Sequence, residues 1–349
     1  MRYKLLGKSG LRVSEICLGA MTFGEEWGWG SSKDESRKIF EAFTEAGGNF
    51  IDTADGYTDG TSEKMVGEFI SKQRERFVVA TKYSFNARPG DPNAGGNHRK
   101  NMVQALEGSL KRLGTDHVDL YWLHAWDSLT PIEEVMRAFD DMVRAGKVLY
   151  IGISDMPAWI ISQANTLAEL RGWTPFVGLQ IEYSLIERTV ERELIPMAEA
   201  MEIGITAWSP LAGGLLSGKY SKSNAAKKSE VGRLEKTQFV QLSDRNLMIG
   251  DAVVEVAKKM GQTPSQVALN WVRQRHNTIP IIGARKVSQV KDNMACLDFT
   301  LPGEFMQRLD EASKIELGFP HDFLAKKAVS DFLHGGTLDL IDNHRINTA

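Results

Sequence analysis

The sequence has very little cysteine, since only Cys17 and Cys296 occur among 349 residues. Two cysteines so far apart form neither a disulfide scaffold nor a CxxC zinc site, so we expect two buried thiols. Long apolar runs are also missing: no stretch approaches the roughly 18 uncharged residues that span a bilayer. The first residues lack the apolar run that a secretion signal needs. We therefore expect a cytoplasmic protein without a disulfide framework.

An excess of charge of one sign is missing as well. Lys plus Arg number 42 and Asp plus Glu number 45, which gives a net charge of −3 at pH 7. Without an overall basic surface we expect neither nucleic acid nor an anionic membrane as a partner. The hydrophobic share of 42% excludes a disordered chain. A globular protein remains, in which any phosphate-binding site has to be local, and a homo-oligomer stays open.

Short apolar runs alternate with longer segments of helical periodicity along most of the chain. The runs that predict strands are 16–18, 49–52, 77–82, 118–124, 148–154, 176–182, 204–209 and 278–283. The segments that predict helices are 32–46, 62–71, 101–113, 132–145, 158–170, 190–201, 251–259, 265–275 and 287–293. This alternation predicts a mainly parallel sheet with helices outside it, either open and doubly wound or closed into a (β/α)8 barrel. No GxGxxG follows the first strand, so the Rossmann fingerprint is missing.

Three segments depart from this alternation. Residues 2–13 predict a hairpin that caps one end of the barrel. Residues 220–244 are polar and charged and predict a long loop, which at this length is usually a functional lid or a disordered segment. Residues 320–349 combine helical and loop character. We expect one domain over 1–319 and a C-terminal tail over 320–349 that packs on the domain or extends from it.

Six successive predicted strands each end in a polar side chain. These residues are Asp52, Lys82, His124, Ser154, Gln180 and Ser209. In a parallel barrel all such ends lie on one face, where barrel enzymes place their chemistry. The start of a loop explains any single case, but it is a weaker explanation for six in a row that include an acid, a base and an imidazole.

Asp52 and Lys82 would lie at the same depth on neighbouring strands. A buried ammonium needs a counter-charge, so a purely structural ion pair is one interpretation. Tyr57, in the loop after Asp52, could fold over the pair, and a nearby Lys82 would lower the phenol pKa and make Tyr57 a proton donor for a carbonyl oxygen. His124 could donate to a substrate oxygen or relay the proton, although a single histidine is more often structural. No second His or Cys lies at ligand spacing near His124, so we expect no metal.

Five stretches together resemble the aldo-keto reductase superfamily. They are 18–24 (LGAMTFG), 50–57 (FIDTADGY), 80–82 (ATK), 119–124 (DLYWLH) and 208–214 (WSPLAGG). Each stretch alone is a weak signal, but their order and spacing are highly specific. The resemblance runs from about residue 3 to 293, and residues 152–159 (GISDMPAW) further resemble the aryl-alcohol dehydrogenase branch.

The resemblance implies a (β/α)8 TIM barrel and a catalytic tetrad of Asp52, Tyr57, Lys82 and His124. It implies NADPH-dependent reduction of aldehydes or ketones, aromatic or other small carbonyl compounds, to alcohols, with hydride from the nicotinamide and a proton from Tyr57. An NADPH-binding regulatory subunit with slow turnover is the alternative. A barrel hydrolase or isomerase that uses Asp52 and His124 is a third interpretation, which predicts no nicotinamide binding.

The resemblance also implies the cofactor contacts. Ser154 and Gln180 match ligands of the nicotinamide carboxamide, and Trp208 takes the place of the usual stacking tyrosine. Asp155 stands where the family often has an asparagine. The cations of 283–286 (GARK) suit a 2′-phosphate, which favours NADP over NAD. The full expected set is Gly19, Met21, Thr22, Asp52, Ser154, Gln180, Trp208, Ser209, Pro210, Leu211, Gly213, Leu215, Lys219, Gly283, Arg285, Gln289 and Asn293.

Aromatic residues beyond the strand ends are the candidates for a substrate pocket. We expect Trp27, Tyr83 and Trp126 to bind the substrate, with Trp29, Phe85 and the 220–244 loop as further wall. Aromatics packed in the core are the alternative interpretation.

Overall fold

The computed structural model describes residues 1–220, 241–275 and 277–342. The loop expected over 220–244 therefore lies almost wholly outside the described residues. Two compact units divide the chain, Met1–Ser313 and Lys314–Ala349. Every residue of the candidate site belongs to the first unit.

Eight parallel strands close into a barrel, so the (β/α)8 expectation is confirmed and the open sheet is excluded. Each strand is hydrogen-bonded to the next along the chain, and the last one closes the ring on the first. The barrel strands are β3 (Cys17–Gly19), β4 (Phe50–Asp52), β5 (Val78–Tyr83), β6 (Val118–Leu123), β7 (Val148–Ser154), β8 (Phe176–Glu182), β9 (Gly204–Trp208) and β10 (Thr278–Gly283).

Helices follow the strands and cover the outside of the barrel. In the first unit they are α1 (Lys33–Glu45), α2 (Thr61–Ile70), α3 (Arg99–Leu113), α4 (Ile132–Arg144), α5 (Ala158–Arg171), α6 (Leu194–Ala200), α7 (Asp244–Met260), α8 (Pro264–Arg273), α9 (Val287–Met294) and α10 (Gly303–Ser313). Local chemistry sets several of their ends: Thr263 and Gln266 form a capping box at the start of α8, and Gly114 ends α3 in the left-handed conformation.

A two-stranded hairpin closes the amino-terminal end of the barrel, as expected. Its strands are β1 (Tyr3–Leu5) and β2 (Arg12–Ser14), paired antiparallel. At Gly7, with φ +54, a Cβ would lie 2.2 Å from the carbonyl oxygen of Val177 at the start of β8. Only glycine fits there, because the turn presses directly on the strand ends. The hairpin leaves the opposite, carboxyl-terminal end as the mouth of the barrel.

The barrel interior is filled by side chains rather than hollow. The fully buried indole of Trp122 lies against Gly152 of β7 and Gly178 of β8, where a Cβ would come within 2.3 Å and 2.8 Å of the ring. A second apolar layer lies between the strands and the helices. With the interior packed, a ligand of the barrel would bind at its mouth.

The second unit carries short helices, α11 (His321–Leu324) and α12 (Lys327–His334). Several of its large apolar side chains are exposed, among them Phe319, Phe332 and Leu340. Within the described residues, no helix combines the length and the apolar character needed to cross a membrane.

Candidate active site

The structure brings Asp52, Tyr57, Lys82 and His124 together at the mouth of the barrel. Asp52 ends β4, Lys82 lies near the end of β5, and His124 directly follows β6. Tyr57 begins a 3-10 turn, Tyr57–Gly60, that leads from β4 into α2. Parallel pairing of β4, β5 and β6 places these side chains at neighbouring strand ends.

Lys82 is the centre of this cluster. Its ammonium is fully buried and donates to Asp52 Oδ2, to the carbonyl oxygen of Thr53 at 2.8 Å and to Tyr57 Oη at 3.2 Å. All three of its protons are therefore used. Burial lowers the pKa of Lys82, but attraction to Asp52 and Tyr57 outweighs burial, and the pKa ends above its ordinary value. Lys82 stays charged because Asp52 is beside it.

Asp52 is also hydrogen-bonded to the opposite wall of the barrel. Its Oδ1 accepts a hydrogen bond from Gln180 Nε2 at 3.1 Å, across the barrel from β8. Gln180 and Ser154 are both buried, and their strands pair so that the two residues lie side by side. The two expected carboxamide ligands thus lie next to each other beside the tetrad.

The expected sign of the pKa shift at Tyr57 is wrong. Burial raises the pKa of Tyr57 above its ordinary value, and the opposing effect of Lys82 only reduces that rise. The phenol is therefore protonated throughout the neutral range, which suits a proton donor. The Lys82 ammonium also lies 4.7 Å from the centre of the Tyr57 ring.

His124 faces Tyr57 with its ring edge-on, at 5.7 Å between ring centres. Burial, followed by repulsion from Lys82, holds the pKa of His124 well below its ordinary value, so the imidazole is neutral. Its backbone N–H donates to the carbonyl of Tyr83 at 2.9 Å and fixes the start of the loop. Within the described residues its buried Nδ1 has no hydrogen-bond partner.

A cavity of about 340 Å³ lies between β9, β10 and α8, and none of the four clustered residues lines it. Many residues expected at the cofactor line it: Thr22, Ser209, Pro210, Leu211, Gly213, Lys219, Gly283, Arg285, Gln289 and Asn293. Gly19 and Met21 are not among the lining residues, and Leu215 is fully buried in the core. Sequence patterns did not indicate Ser265 and Leu269, which enter the cavity from α8.

The lining of this cavity has features that suit phosphate groups. Gly213 and Gly214 have φ of +65 and +103, so the chain turns sharply there without side chains to block an approaching ligand. Lys219 and Arg285 bring positive charge to the wall at two separate points. Glycine turns and cations of this kind are the features that bind phosphate groups.

Trp208 ends β9 directly before Ser209, which lines the cavity, but Trp208 itself is not a lining residue. Its indole is half-buried, and Nε1 donates to Asp155 Oδ1 at 3.2 Å. Asp155 has a left-handed backbone with φ +45, a conformation that Asn and Asp adopt more readily than other side chains. The indole plane is thus held in place by a carboxylate.

The aromatic residues divide between the mouth and the core. At the mouth, the Trp27 ring lies 6.3 Å from that of Tyr57, and the Phe85 ring lies 4.1 Å from that of His124. Trp126 is half-buried near Asp155, with its backbone N–H 3.4 Å from the Asp155 carbonyl. Tyr83, expected at the substrate, does not reach the mouth: it is fully buried on the helix side of β5 and stacks on Tyr121 at 5.2 Å.

Comparison with known proteins gives a consistent result. The Aldo/keto reductase family model matches residues 15–314. An aryl-alcohol dehydrogenase (NADP+) of Phanerodontia chrysosporium is 37% identical over 330 residues, covering 89% of this chain and 86% of the relative. A norsolorinic acid reductase of Aspergillus flavus is 35% identical over 331 residues, covering 92% and 83%. The uncharacterized oxidoreductase YrpG of Bacillus subtilis is 38% identical over 328 residues, covering 89% and 95%.

Proposed function

The chain is an oxidoreductase of the aldo/keto reductase family, as its resemblance to that family predicts, and on this premise we propose that it reduces aldehydes or ketones to alcohols with NADPH. The observation that carries the proposal is the position of the Lys82 ammonium. It binds the carboxylate of Asp52 and the phenol oxygen of Tyr57 at the same time, beside the neutral imidazole of His124.

The protein residues account for the proton and for orientation. A carbonyl oxygen between Tyr57 and His124 would accept a hydrogen bond from each, and Tyr57 would transfer its proton as negative charge develops on that oxygen. The ammonium of Lys82 would then stabilise the phenolate that forms on Tyr57 once the proton has been transferred. Asp52 keeps Lys82 charged. The hydrogen bond from Gln180 fixes the Asp52 carboxylate, and the carboxylate in turn fixes the position of the Lys82 ammonium. A bound dihydronicotinamide supplies the hydride.

The proposed cofactor is NADP rather than NAD. The cavity residues Gly213, Gly214 and Lys219 would hold the pyrophosphate, and Arg285 would hold a 2′-phosphate. Arg285 lies just before α9, so the positive end of the helix adds to the cation there. Ser154 and Gln180 would contact the carboxamide, with the nicotinamide ring stacked on Trp208.

The proposed substrate is an aromatic carbonyl compound. The rings of Trp27 and Phe85 flank Tyr57 and His124, and both side chains are exposed at the mouth. Apolar rings around a few polar groups are typical of a pocket for a planar ligand. The names of the relatives, aryl-alcohol dehydrogenase and norsolorinic acid reductase, agree with this choice.

The test follows NADPH oxidation with a panel of aromatic aldehydes, in the wild type and in Tyr57→Phe. We expect turnover to fall by about 10²- to 10⁴-fold in the variant, with NADPH affinity nearly unchanged, because only the transferable proton is removed. Tyr3→Phe is the control, since its hydroxyl bonds the Gly47 carbonyl on the hairpin side of the barrel.

Three outcomes would count against the proposal. Full turnover in Tyr57→Phe would remove Tyr57 from the proton transfer. Tight NADPH binding by the wild type without turnover of any aldehyde would favour the regulatory subunit, and no NADPH binding would favour the hydrolase or isomerase.

A further inference from the structure

One side of the mouth carries carboxylates that the proposed reaction does not use. Asp155 follows Ser154 at the end of β7, and Glu182 ends β8 directly opposite Trp208 of β9. The hydrogen bond from Trp208 Nε1 and the left-handed backbone at residue 155 hold the Asp155 carboxylate against the edge of the indole. The group therefore has a defined place beside the proposed stacking surface.

The tetrad itself adds little net charge to the mouth. The ammonium of Lys82 is compensated by Asp52, to which it is bonded directly. Tyr57 and His124 are neutral, because burial raises the pKa of the phenol and lowers the pKa of the imidazole. The tetrad therefore does not offset the carboxylates near Trp208.

In the described part of the chain no cation is bonded directly to either carboxylate, and Lys82 acts on Asp155 only from a distance. Over residues 1–220, 241–275 and 277–342, neither Asp155 nor Glu182 forms a salt bridge within 4.0 Å. Burial, followed by repulsion from Glu187 and Asp155, raises the pKa of Glu182 to about 7. Asp155 is the more exposed of the two and receives the indole N–H, so it is the carboxylate with a fixed position in this part of the mouth.

Resting on the proposed function, we infer that Asp155 makes the site prefer the oxidised nicotinamide to the reduced one, and that Trp208 holds the carboxylate where it has this effect. The oxidised ring carries a positive charge and the reduced ring is neutral. A carboxylate beside the ring therefore stabilises one redox state and leaves the other almost unchanged. An uncharged amide at position 155 would not make this distinction.

The consequence is a shift of the redox equilibrium between the two protein-bound complexes, while the equilibrium of the free compounds in solution is unchanged. The complex of oxidised cofactor with alcohol gains stability relative to the complex of reduced cofactor with carbonyl compound. The solution equilibrium stays the same, because the oxidised cofactor is then bound more tightly by the same factor. Asp155 is thus a specificity-determining residue for the redox state of the cofactor.

The experiment measures the dissociation constants of NADP+ and NADPH by calorimetry for the wild type and Asp155→Asn. Desolvation raises the pKa of Asp155 against the effects of Trp208 and Lys82, so the titrations are done at pH 8 rather than at neutral pH, which favours the ionised carboxylate. We expect the ratio Kd(NADPH)/Kd(NADP+) to fall by about 3- to 10-fold in the variant, since the charge lies at an exposed site. Most of the change should come from weaker NADP+ binding.

Two further variants separate charge from structure. Asp141→Asn makes the same substitution on the outer face of α4, where the carboxylate pairs with Arg137, and it should leave both constants unchanged. Trp208→Phe keeps a ring but removes the indole N–H, and it should lower the ratio by less than Asp155→Asn does. Asparagine tolerates the left-handed backbone, so Asp155→Asn is expected to fold.

The outcomes separate a failure of the proposed function from a failure of the inference about Asp155. A wild type that binds neither cofactor overturns the proposed function and this inference together. If the wild type binds both cofactors and Asp155→Asn changes both constants equally, or neither, then the inference alone is wrong.

Discussion

Asp55 lies between two tetrad residues, and its environment leads to a prediction about stability. The residue follows β4 in the loop to Tyr57 and is half-buried. Burial, followed by repulsion from Glu63, raises the pKa of Asp55 from 3.8 to about 7, against the opposing effects of Arg112 and the Gly56 N–H. In the described part of the chain, its buried Oδ1 has no hydrogen-bond partner. We therefore expect the Asp55→Asn variant to be more stable than the wild type at alkaline pH.

The size of the effect follows from the shift in pKa. The unfolded chain ionises Asp55 above about pH 4, whereas the folded chain keeps the proton until about pH 7. A raised carboxyl pKa therefore makes the wild type lose stability as the pH rises between these values and stay level above them. A rise of about 3 units at about 1.4 kcal/mol per unit gives a loss on the order of 4 kcal/mol. Asparagine does not ionise and escapes this loss.

The assay is urea denaturation of the wild type and Asp55→Asn at intervals from pH 5 to pH 8. The free energy of unfolding of the variant should exceed that of the wild type by an amount that grows with pH and then levels off near pH 8. Asp91→Asn is the control, because Asp91 is exposed and the hydrogen bond from Arg88 lowers its pKa. A difference between Asp55→Asn and the wild type that stays constant over this range would refute the reasoning.

Two further predictions concern the packing of the barrel and the choice of cofactor. Gly152→Ala should lower the free energy of unfolding by about 1–3 kcal/mol, because the new Cβ would lie 2.3 Å from the Trp122 ring. Gly10→Ala is the control, because a Cβ at that position meets nothing within 4 Å. Equal losses of stability in the two variants would show that the contact with Trp122 is not the cause. Arg285→Ala should raise the Kd of NADP+ by about 10- to 100-fold and leave the Kd of NAD+ nearly unchanged in titration calorimetry. An equal loss for both cofactors would show that Arg285 does not hold the 2′-phosphate.

The strands were the most predictable part of the fold. β7, β8 and β10 coincide with the predicted runs, because parallel strands covered on both faces form continuous apolar stretches. Helix ends were less predictable: α7 begins at Asp244, seven residues before the expected start, although Ser243 is a good N-cap residue. α10 was not predicted at all, because it follows the last strand–helix unit and the alternation no longer indicates it.

The site residues at the strand ends were predictable because barrel topology places those ends together. The prediction that Tyr83 binds the substrate overlooked the alternation of side chains along a strand. Side chains alternate along a strand, so Tyr83, next to Lys82 in β5, has to point away from the barrel interior and into the helix layer. The sign of the pKa shift at Tyr57 was not predictable, since it depends on how far the loop buries the phenol. The bond between Trp208 and Asp155 joins residues that are far apart in sequence, and no spacing pattern predicts it.

The raised pKa of Tyr57 changes the part that Lys82 plays in the proposed reaction. At rest the phenol is a weaker acid than in water, because burial outweighs the ammonium. The ammonium at 3.2 Å contributes most when the phenol loses its proton, since it then faces a full negative charge in a desolvated site. An interaction that strengthens only as the charge develops lowers the barrier without stabilising the ground state. Lys82 should therefore affect turnover far more than substrate binding, and this follows from the same burial that makes Tyr57 a weak acid at rest.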